Sequence, residues 1–204
     1  MISLTRQLPW YWSINGKQYK VNMTFDNVLR WYQLLDDESK TDGQRAVIMW
    51  RMFVNASDVD AKGREKAIVE IGDYIRKRPY HLPEDAVADP SGDYADERSY
   101  SYTQDAPAIW SSILAEYGID LEREEGKLHW AKFQALLDGL PSSSYFQRII
   151  AIRQRSRTGL EGEELTNLVQ AQEYFALDEY RSVARQNQQM NDILSAWAAT
   201  AEPK

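Results

Sequence analysis

Histidine and cysteine, the side chains that most often bind zinc or act as catalytic base and nucleophile, are scarce in this sequence. Only two histidines occur, His81 and His129, and cysteine is absent. Without cysteine the chain cannot form a disulfide, a thiolate nucleophile or a zinc–thiolate site, and this composition suits a reducing cytosol. His81 lies in a polar stretch, and His129 stands beside Trp130 at the start of a short predicted helix. We interpret both histidines as surface or packing residues.

One aspartate-rich segment has part of the pattern of a calcium loop. Asp58, Asp60 and Gly63 occupy the first, third and sixth positions of such a loop. The fifth position, however, is Lys62, and the twelfth, which requires a bidentate glutamate, is Val69. The segment is better explained as the acidic N-terminus of a helix.

Other catalytic patterns are missing from the sequence. It contains no glycine-rich phosphate loop, nucleophile elbow or His-Glu-x-x-His motif. The acids in Glu124-Glu125 and Glu163-Glu164 are sequence neighbours, so they do not share a helix face as an acid–base dyad would. The one basic run, Arg153 to Arg157, ends a predicted helix, where cations complement the dipole. We predict a binding protein without enzymatic activity, cofactor or metal.

Composition sets further bounds on function. The 204 residues can form one domain with a substantial core, and 43% hydrophobic and 27% charged residues are typical of a globular protein. A formal charge of −7 disfavours nucleic acid as a partner. No stretch approaches the roughly 20 apolar residues of a membrane span, and the N-terminus has no signal-peptide core. We expect a soluble cytosolic protein.

The elements that position these residues begin with a predicted β-hairpin over residues 10–21. Asn15-Gly16 supplies the two positive-φ positions of a type I′ turn between short apolar and aromatic strands. A lone hairpin is marginal in water. We therefore expect Trp10, Trp12 and Tyr19 to pack on the helices behind it.

Helical periodicity dominates the rest of the chain and predicts a mainly α fold, a compact bundle of about six to eight helices. Thr24 is the predicted N-cap of the first helix, and the second is predicted over residues 44–54. The residues expected to face the core in these two helices are Phe25, Val28, Leu29, Tyr32 and Leu35, then Val47, Ile48, Met52 and Trp50. Further helices are predicted near residues 62–77, 104–117, 128–137, 144–153 and 162–176, with Trp110, Tyr117, Trp130 and Phe133 interpreted as core.

The predicted domain organisation is one helical domain over residues 1–177 followed by a C-terminal segment, 178–204. Residues 79–102 are rich in proline and aspartate and are predicted to form a flexible linker. The C-terminal segment is predicted to be an amphipathic helix that either folds back on the domain or binds a partner helix. Its candidate partner-binding residues are Tyr180, Val183, Met190, Ile193, Leu194 and Trp197.

Five short motifs in the second half of the chain form an ordered series. They are Gln104-Asp105-Ala106-Pro107-Ala108-Ile109, Tyr117-Gly118-Ile119-Asp120, Leu128-His129-Trp130-Ala131-Lys132-Phe133, Gly139-Leu140-Pro141 and Ile152-Arg153. Together with the N-terminal hairpin, the series resembles a phage tail assembly chaperone family of the gp-fifteen type. Genes of this family lie just ahead of the tape measure gene in long-tailed phages. The resemblance covers most of residues 10–177.

The resemblance implies a protein of the host cytoplasm that binds the long helical tape measure protein and keeps it soluble and extended. Polymerising tail tube subunits then displace it, so it is absent from the mature virion. The tail tube protein and further copies of the chain along the client are additional candidate partners. The family has no catalytic residues to carry over, and the C-terminal helix extends beyond its pattern. The alternative is a structural tail or connector protein that stays in the virion.

Overall fold

The computed structural model describes residues 3–77, 99–178, 189–191 and 193. Within them lie one two-stranded sheet, seven α-helices and one short 3₁₀ helix, Leu121–Glu124. The prediction of a mainly α fold with an N-terminal hairpin is confirmed. The α-helices are α1 (Phe25–Leu35), α2 (Asp42–Phe53), α3 (Ala61–Arg76), α4 (Ala106–Tyr117), α5 (Trp130–Asp138), α6 (Tyr145–Gln154) and α7 (Gly162–Tyr174).

The hairpin forms as its turn residues predict. Strands β1 (Tyr11–Ile14) and β2 (Lys17–Lys20) pair antiparallel, with Trp12 opposite Tyr19. The turn residues Asn15 and Gly16 both adopt positive φ, at 51° and 79°, which glycine tolerates freely and asparagine better than most residues. Trp12 packs edge-on against Tyr74 of α3, with ring centroids 5.5 Å apart. A helix therefore covers one side of the otherwise marginal two-stranded sheet.

The chain divides into two compact units. The first contains Met1–Ala86, Glu124–Ala135 and Gln186–Lys204; the second contains Val87–Arg123 and Leu136–Arg185. The single domain over 1–177 and the separate C-terminal segment remain predictions. Of the linker predicted over 79–102, residues 79–98 lie outside the described residues, and Tyr100, Ser101 and Tyr102 are buried in the second unit.

The first unit is held by aromatic rings from distant parts of the chain. Trp130 and Phe133 of α5 are fully buried. Phe133 stacks on Phe25 with centroids 5.2 Å apart, and Trp130 approaches Tyr32 at 6.0 Å. The Trp130 indole also donates to the carbonyl of Ile75 at 2.9 Å. Burial of such large rings is the main apolar contribution to this unit.

The face of α2 that packs inward differs in part from the prediction, since only Trp50 of its four predicted core residues is buried. Val47, expected in the core, is 46% exposed, while the buried residues are Ala46, Met49, Trp50 and Phe53. The Trp50 indole donates to the Ala56 carbonyl at 3.0 Å, and the Phe53 carbonyl accepts from Asn22 N–H at 2.8 Å. These contacts fix the rotation of α2 about its own axis. Several apolar stripes are possible on α2, and tertiary packing selects the one with the larger aromatic rings.

Helix starts also show where local signals succeed and fail. Thr24 stands at the N-cap of α1 but makes no side-chain capping bond, and its hydroxyl donates to the Asn22 side chain at 3.0 Å. Thr41, by contrast, forms a full capping box with Gln44, which begins α2 two residues before the predicted start. Ser144 accepts from Gln147 N–H at the predicted start of α6.

The second unit packs α4 against α6. Ile109 and Ile113 of α4 and Phe146, Ile149 and Ile150 of α6 are buried. A hydrogen bond also joins the two helices, in which the backbone N–H of Phe146 donates to the Ser112 hydroxyl at 2.9 Å. Gly118 ends α4 with φ of 66°, the left-handed conformation that glycine commonly supplies at a helix C-terminus.

Candidate partner-binding site

His129 is a packing residue of the first unit. It is 1% exposed, and its ring meets Trp10 and Tyr74 edge-on at 4.8 Å and 6.0 Å. Its Nδ1 accepts from the Ala131 N–H at 3.1 Å, which leaves Nε2 to donate to the Pro9 carbonyl at 3.2 Å. Burial lowers its pKa by more than the Pro9 carbonyl raises it. The ring is therefore neutral, with both nitrogens committed.

The aspartates of the apparent calcium loop join the hairpin to α3. Asp60 caps the helix by accepting from Gly63 N–H and also accepts from the Asn15 side chain, both at 2.9 Å. These bonds lower the Asp60 pKa, the Gly63 N–H contributing most. Asp58 pairs with Lys17, whose hydrogen bond is the main cause of its lowered pKa. In the part of the chain that the structure describes, no group of three His, Asp or Glu side chains could hold a metal.

The basic run of α6 is used within the second unit. Arg153 forms two hydrogen bonds to the Asp105 carboxylate, at 2.7 and 2.8 Å, with side chains only 9% and 4% exposed. The same guanidinium donates to the carbonyls of Ser99 and Phe175. It thus ties three chain segments together. Arg155 pairs with Glu164, and Arg157 bonds the Gln172 side chain.

An open groove lies between α6 and α7. We call it the α6–α7 groove; its volume is about 780 Å³, within the range of roughly 300–1,000 Å³ usual for ligand clefts. The apolar part comes from Ala151 and Ile152 of α6 and Leu168 and Ala171 of α7. The remaining lining residues are polar or charged: Arg148, Arg155, Glu163, Glu164 and Asn167.

The groove follows from the spacing of its residues. Arg148, Ala151, Ile152 and Arg155 stand at i, i+3, i+4 and i+7, and Glu164, Asn167, Leu168 and Ala171 repeat that spacing. Each set therefore lies on one face of its helix. Two alanines leave space where larger residues would have filled the contact. The site was not predicted from the sequence because its floor combines alanines with branched residues and is not a stripe of large apolar side chains. The repeated spacing is the one signal that indicated a shared face on each helix.

The four aromatic residues interpreted as core divide into two pairs. Trp130 and Phe133 are fully buried, as predicted. Trp110 and Tyr117 of α4 are instead 40% and 37% exposed, so that interpretation was wrong for them. Tyr117 lies two turns beyond Trp110 on the same side of the helix and donates its hydroxyl to the Leu136 carbonyl at 3.1 Å. The apolar stripe on α4 extends beyond the part that packs against α6, so Trp110 and Tyr117 stay partly exposed.

The candidate partner-binding residues of the C-terminal segment are only partly described. Met190 and Ile193 are helical and buried, at 0% and 1% exposure. Tyr180, Val183, Leu194 and Trp197 lie outside the described residues. A partner-binding role for this face remains a prediction. In the described part of the chain, no helix is long and apolar enough to cross a membrane.

Comparison with known proteins gives the family of this chain. A family model described as Bacteriophage Gp15 protein matches residues 4–177. The chain has no significant match among curated proteins or among solved structures. The resemblance to a phage family, which the five motifs indicated, is confirmed as far as a bacteriophage Gp15-type protein. Because the match spans well over half of the sequence, the chain belongs to the bacteriophage Gp15 protein family.

Proposed function

We propose that this chain is a tail assembly chaperone that binds the tape measure protein of its phage. It keeps that client soluble and extended in the host cytoplasm and is displaced as tail tube subunits polymerise around the client. The observation that carries the proposal is the open α6–α7 groove on a chain of a bacteriophage family. Grooves with an apolar floor between helices are a common way to bind an amphipathic helix.

The chemistry of the client explains why such a protein is needed. A long helical protein that awaits assembly exposes apolar stripes, and exposed apolar patches of that size aggregate. Covering each stripe with a separate small protein removes apolar surface from water. The formal charge of −7 on each bound copy also favours solubility of the coated client. The proposal requires no catalytic residue, cofactor or nucleic acid.

Co-expression tests this function directly. The tape measure protein is produced alone, with this chain, and with an unrelated acidic helical protein as control. We expect it to remain soluble and to co-purify only with this chain. An insoluble client and no complex in all three cases would rule the function out.

Virion composition separates a chaperone from a structural tail protein. Mass spectrometry of purified virions should detect the tape measure protein and tail tube subunits but not this chain. Recovery of the chain at stoichiometric levels in intact particles would instead assign it to the tail or connector.

A further inference from the structure

We infer that the α6–α7 groove holds one amphipathic helix of the client in a single orientation. The acidic flank of that helix lies beside Arg148 on α6, and its basic flank lies beside Glu163 on α7. The inference rests on the proposed function and assigns it a surface, a class of ligand segment and a polarity.

The apolar floor sets the first requirement for the ligand. Ile152 and Leu168 supply branched apolar surface, while Ala151 and Ala171 leave room above the floor. Leu168 is itself buried, and Ile152 is half-buried. A ligand that covers these four side chains must present apolar groups at a matching spacing. An amphipathic helix does so with residues at i, i+3, i+4 and i+7.

The backbone around the groove favours a helical ligand over an extended one. Both lining elements are α-helices, so their peptide groups are already bonded within each helix. The groove has no strand edge to which an extended peptide could add. An extended peptide on this floor would leave its own peptide groups without partners, whereas a helix satisfies them internally.

The charged lining residues set the orientation. Arg155 and Glu164 bond each other at 2.5 Å and neutralise one another. Arg148 and Glu163 are exposed and form no ion pair within the described residues. Among the described residues, the groove thus keeps one positive charge on α6 and one negative charge on α7 that belong to no ion pair. A ligand helix with opposite charges on its two flanks matches both in one direction and meets like charges in the other.

The floor is tested with Ala151→Glu in the full-length chain. Ala151 is exposed, so the fold should tolerate the substitution, whereas a bound apolar stripe would meet a longer, charged side chain where Ala151 leaves room and would have to take its carboxylate out of water. We expect affinity for the tape measure protein to fall by at least about tenfold, measured by titration calorimetry. Ala115→Glu, at an exposed position in the corresponding half of α4, is the matched control and should bind like wild type.

The polarity is tested by reversing the lining charges. Arg148→Glu and Glu163→Lys should each weaken binding by about two- to fivefold, the range of an exposed ion pair. Arg51→Glu and Glu122→Lys, at exposed residues that do not line the groove, are the controls. A client segment with its flanking charges exchanged should bind the Arg148→Glu, Glu163→Lys double variant better than wild type does.

The outcomes separate the two proposals. If wild type binds no tape measure protein, both the function and the groove assignment fail. If wild type binds and Ala151→Glu binds equally well, the groove assignment fails and the function stands. If Ala151→Glu weakens binding but exchanged client charges make no difference, the polarity is wrong. Matching circular dichroism spectra and melting temperatures show whether each variant has kept the wild-type fold.

Discussion

The Arg153–Asp105 pair is a buried ion pair of the second unit. Its two hydrogen bonds are nearly inaccessible to water, and the guanidinium also donates to two backbone carbonyls, those of Ser99 and Phe175. Asp105 further accepts from the Ser101 N–H at 2.9 Å. Removing one member of such a pair leaves an uncompensated buried charge. This destabilises the fold far more than replacing both members by apolar groups.

Arg153→Met should therefore reduce the free energy of unfolding by about 3–5 kcal/mol, measured by urea denaturation. Arg157→Met removes only an exposed hydrogen bond to Gln172 and should change it by less than about 1 kcal/mol. The double variant Asp105→Leu, Arg153→Met should be more stable than Arg153→Met alone. Equal losses for the two single arginine variants would contradict a special role for the pair.

His129 should make stability depend on pH near neutrality. Its pKa in the folded chain is below the ordinary value of 6.5, because the ring is buried and Nδ1 accepts a hydrogen bond. The unfolded chain therefore binds a proton at His129 more readily than the folded chain does. The stability from the neutral ring is complete above about pH 6.5 and is lost progressively as pH falls toward the folded pKa.

Urea denaturation between about pH 5.5 and 7.5, above the range in which ordinary carboxylates titrate, measures this effect. We expect the free energy of unfolding of wild type to decrease toward the acidic end. His129→Gln should be less stable at neutral pH but should lose that slope, whereas His81→Gln should keep it. A wild-type slope that persists in His129→Gln would assign the titration to another group.

At the scale of elements, the joint between the hairpin and α3 depends on the absence of a side chain at Gly63. A Cβ there would lie 2.7 Å from Asp60 Oδ1 and 2.9 Å from Asn15 Nδ2. Both atoms belong to the cap and turn that hold the hairpin against the helix. Close approach, rather than an unusual φ, is therefore the reason for glycine at this position.

Gly63→Ala should destabilise the chain by about 1–3 kcal/mol, the usual cost of forcing extra volume into a packed site. The matched control is Gly43→Ala in the first turn of α2, where a new Cβ meets nothing within 4 Å. That control should be neutral or stabilising by up to about 1 kcal/mol, because alanine favours helix. Thermal unfolding followed by circular dichroism compares the two, and similar effects of both would exclude the proposed clash.

The elements differ in how far sequence can predict them. The hairpin and the helix positions follow from local signals such as Asn15-Gly16 and the Ser144 cap, so they were predictable. The inward face of α2 was not, because packing of Trp50 and Phe53 selects one of several stripes. The exposure of Trp110 and the α6–α7 groove depend on which helices meet. Local periodicity shows which residues share a face of a helix but not which helices pack together.

At the scale of the whole molecule, net charge acts between copies of the chain, whereas the two groove charges act on the ligand helix. The charge of −7 belongs to every copy, so copies that bind neighbouring client segments repel one another. The groove uses one positive and one negative side chain and needs no net charge. Under the proposed function, coating of a long client should therefore arise from independent binding to successive segments rather than from attraction between copies.

This independence predicts how complex mass depends on client length and salt. With client fragments of one, two and four amphipathic segments, the mass measured by light scattering, after subtraction of the fragment's own mass, should rise by one 23.7 kDa chain per segment at 0.15 M salt. At 0.01 M salt the screening length grows from about 8 Å to about 30 Å. Repulsion between neighbours should then lower occupancy on the longer fragments but not on the shortest. If the longest fragment stays fully coated at low salt, contacts between copies must contribute to coating, and binding to successive segments is cooperative.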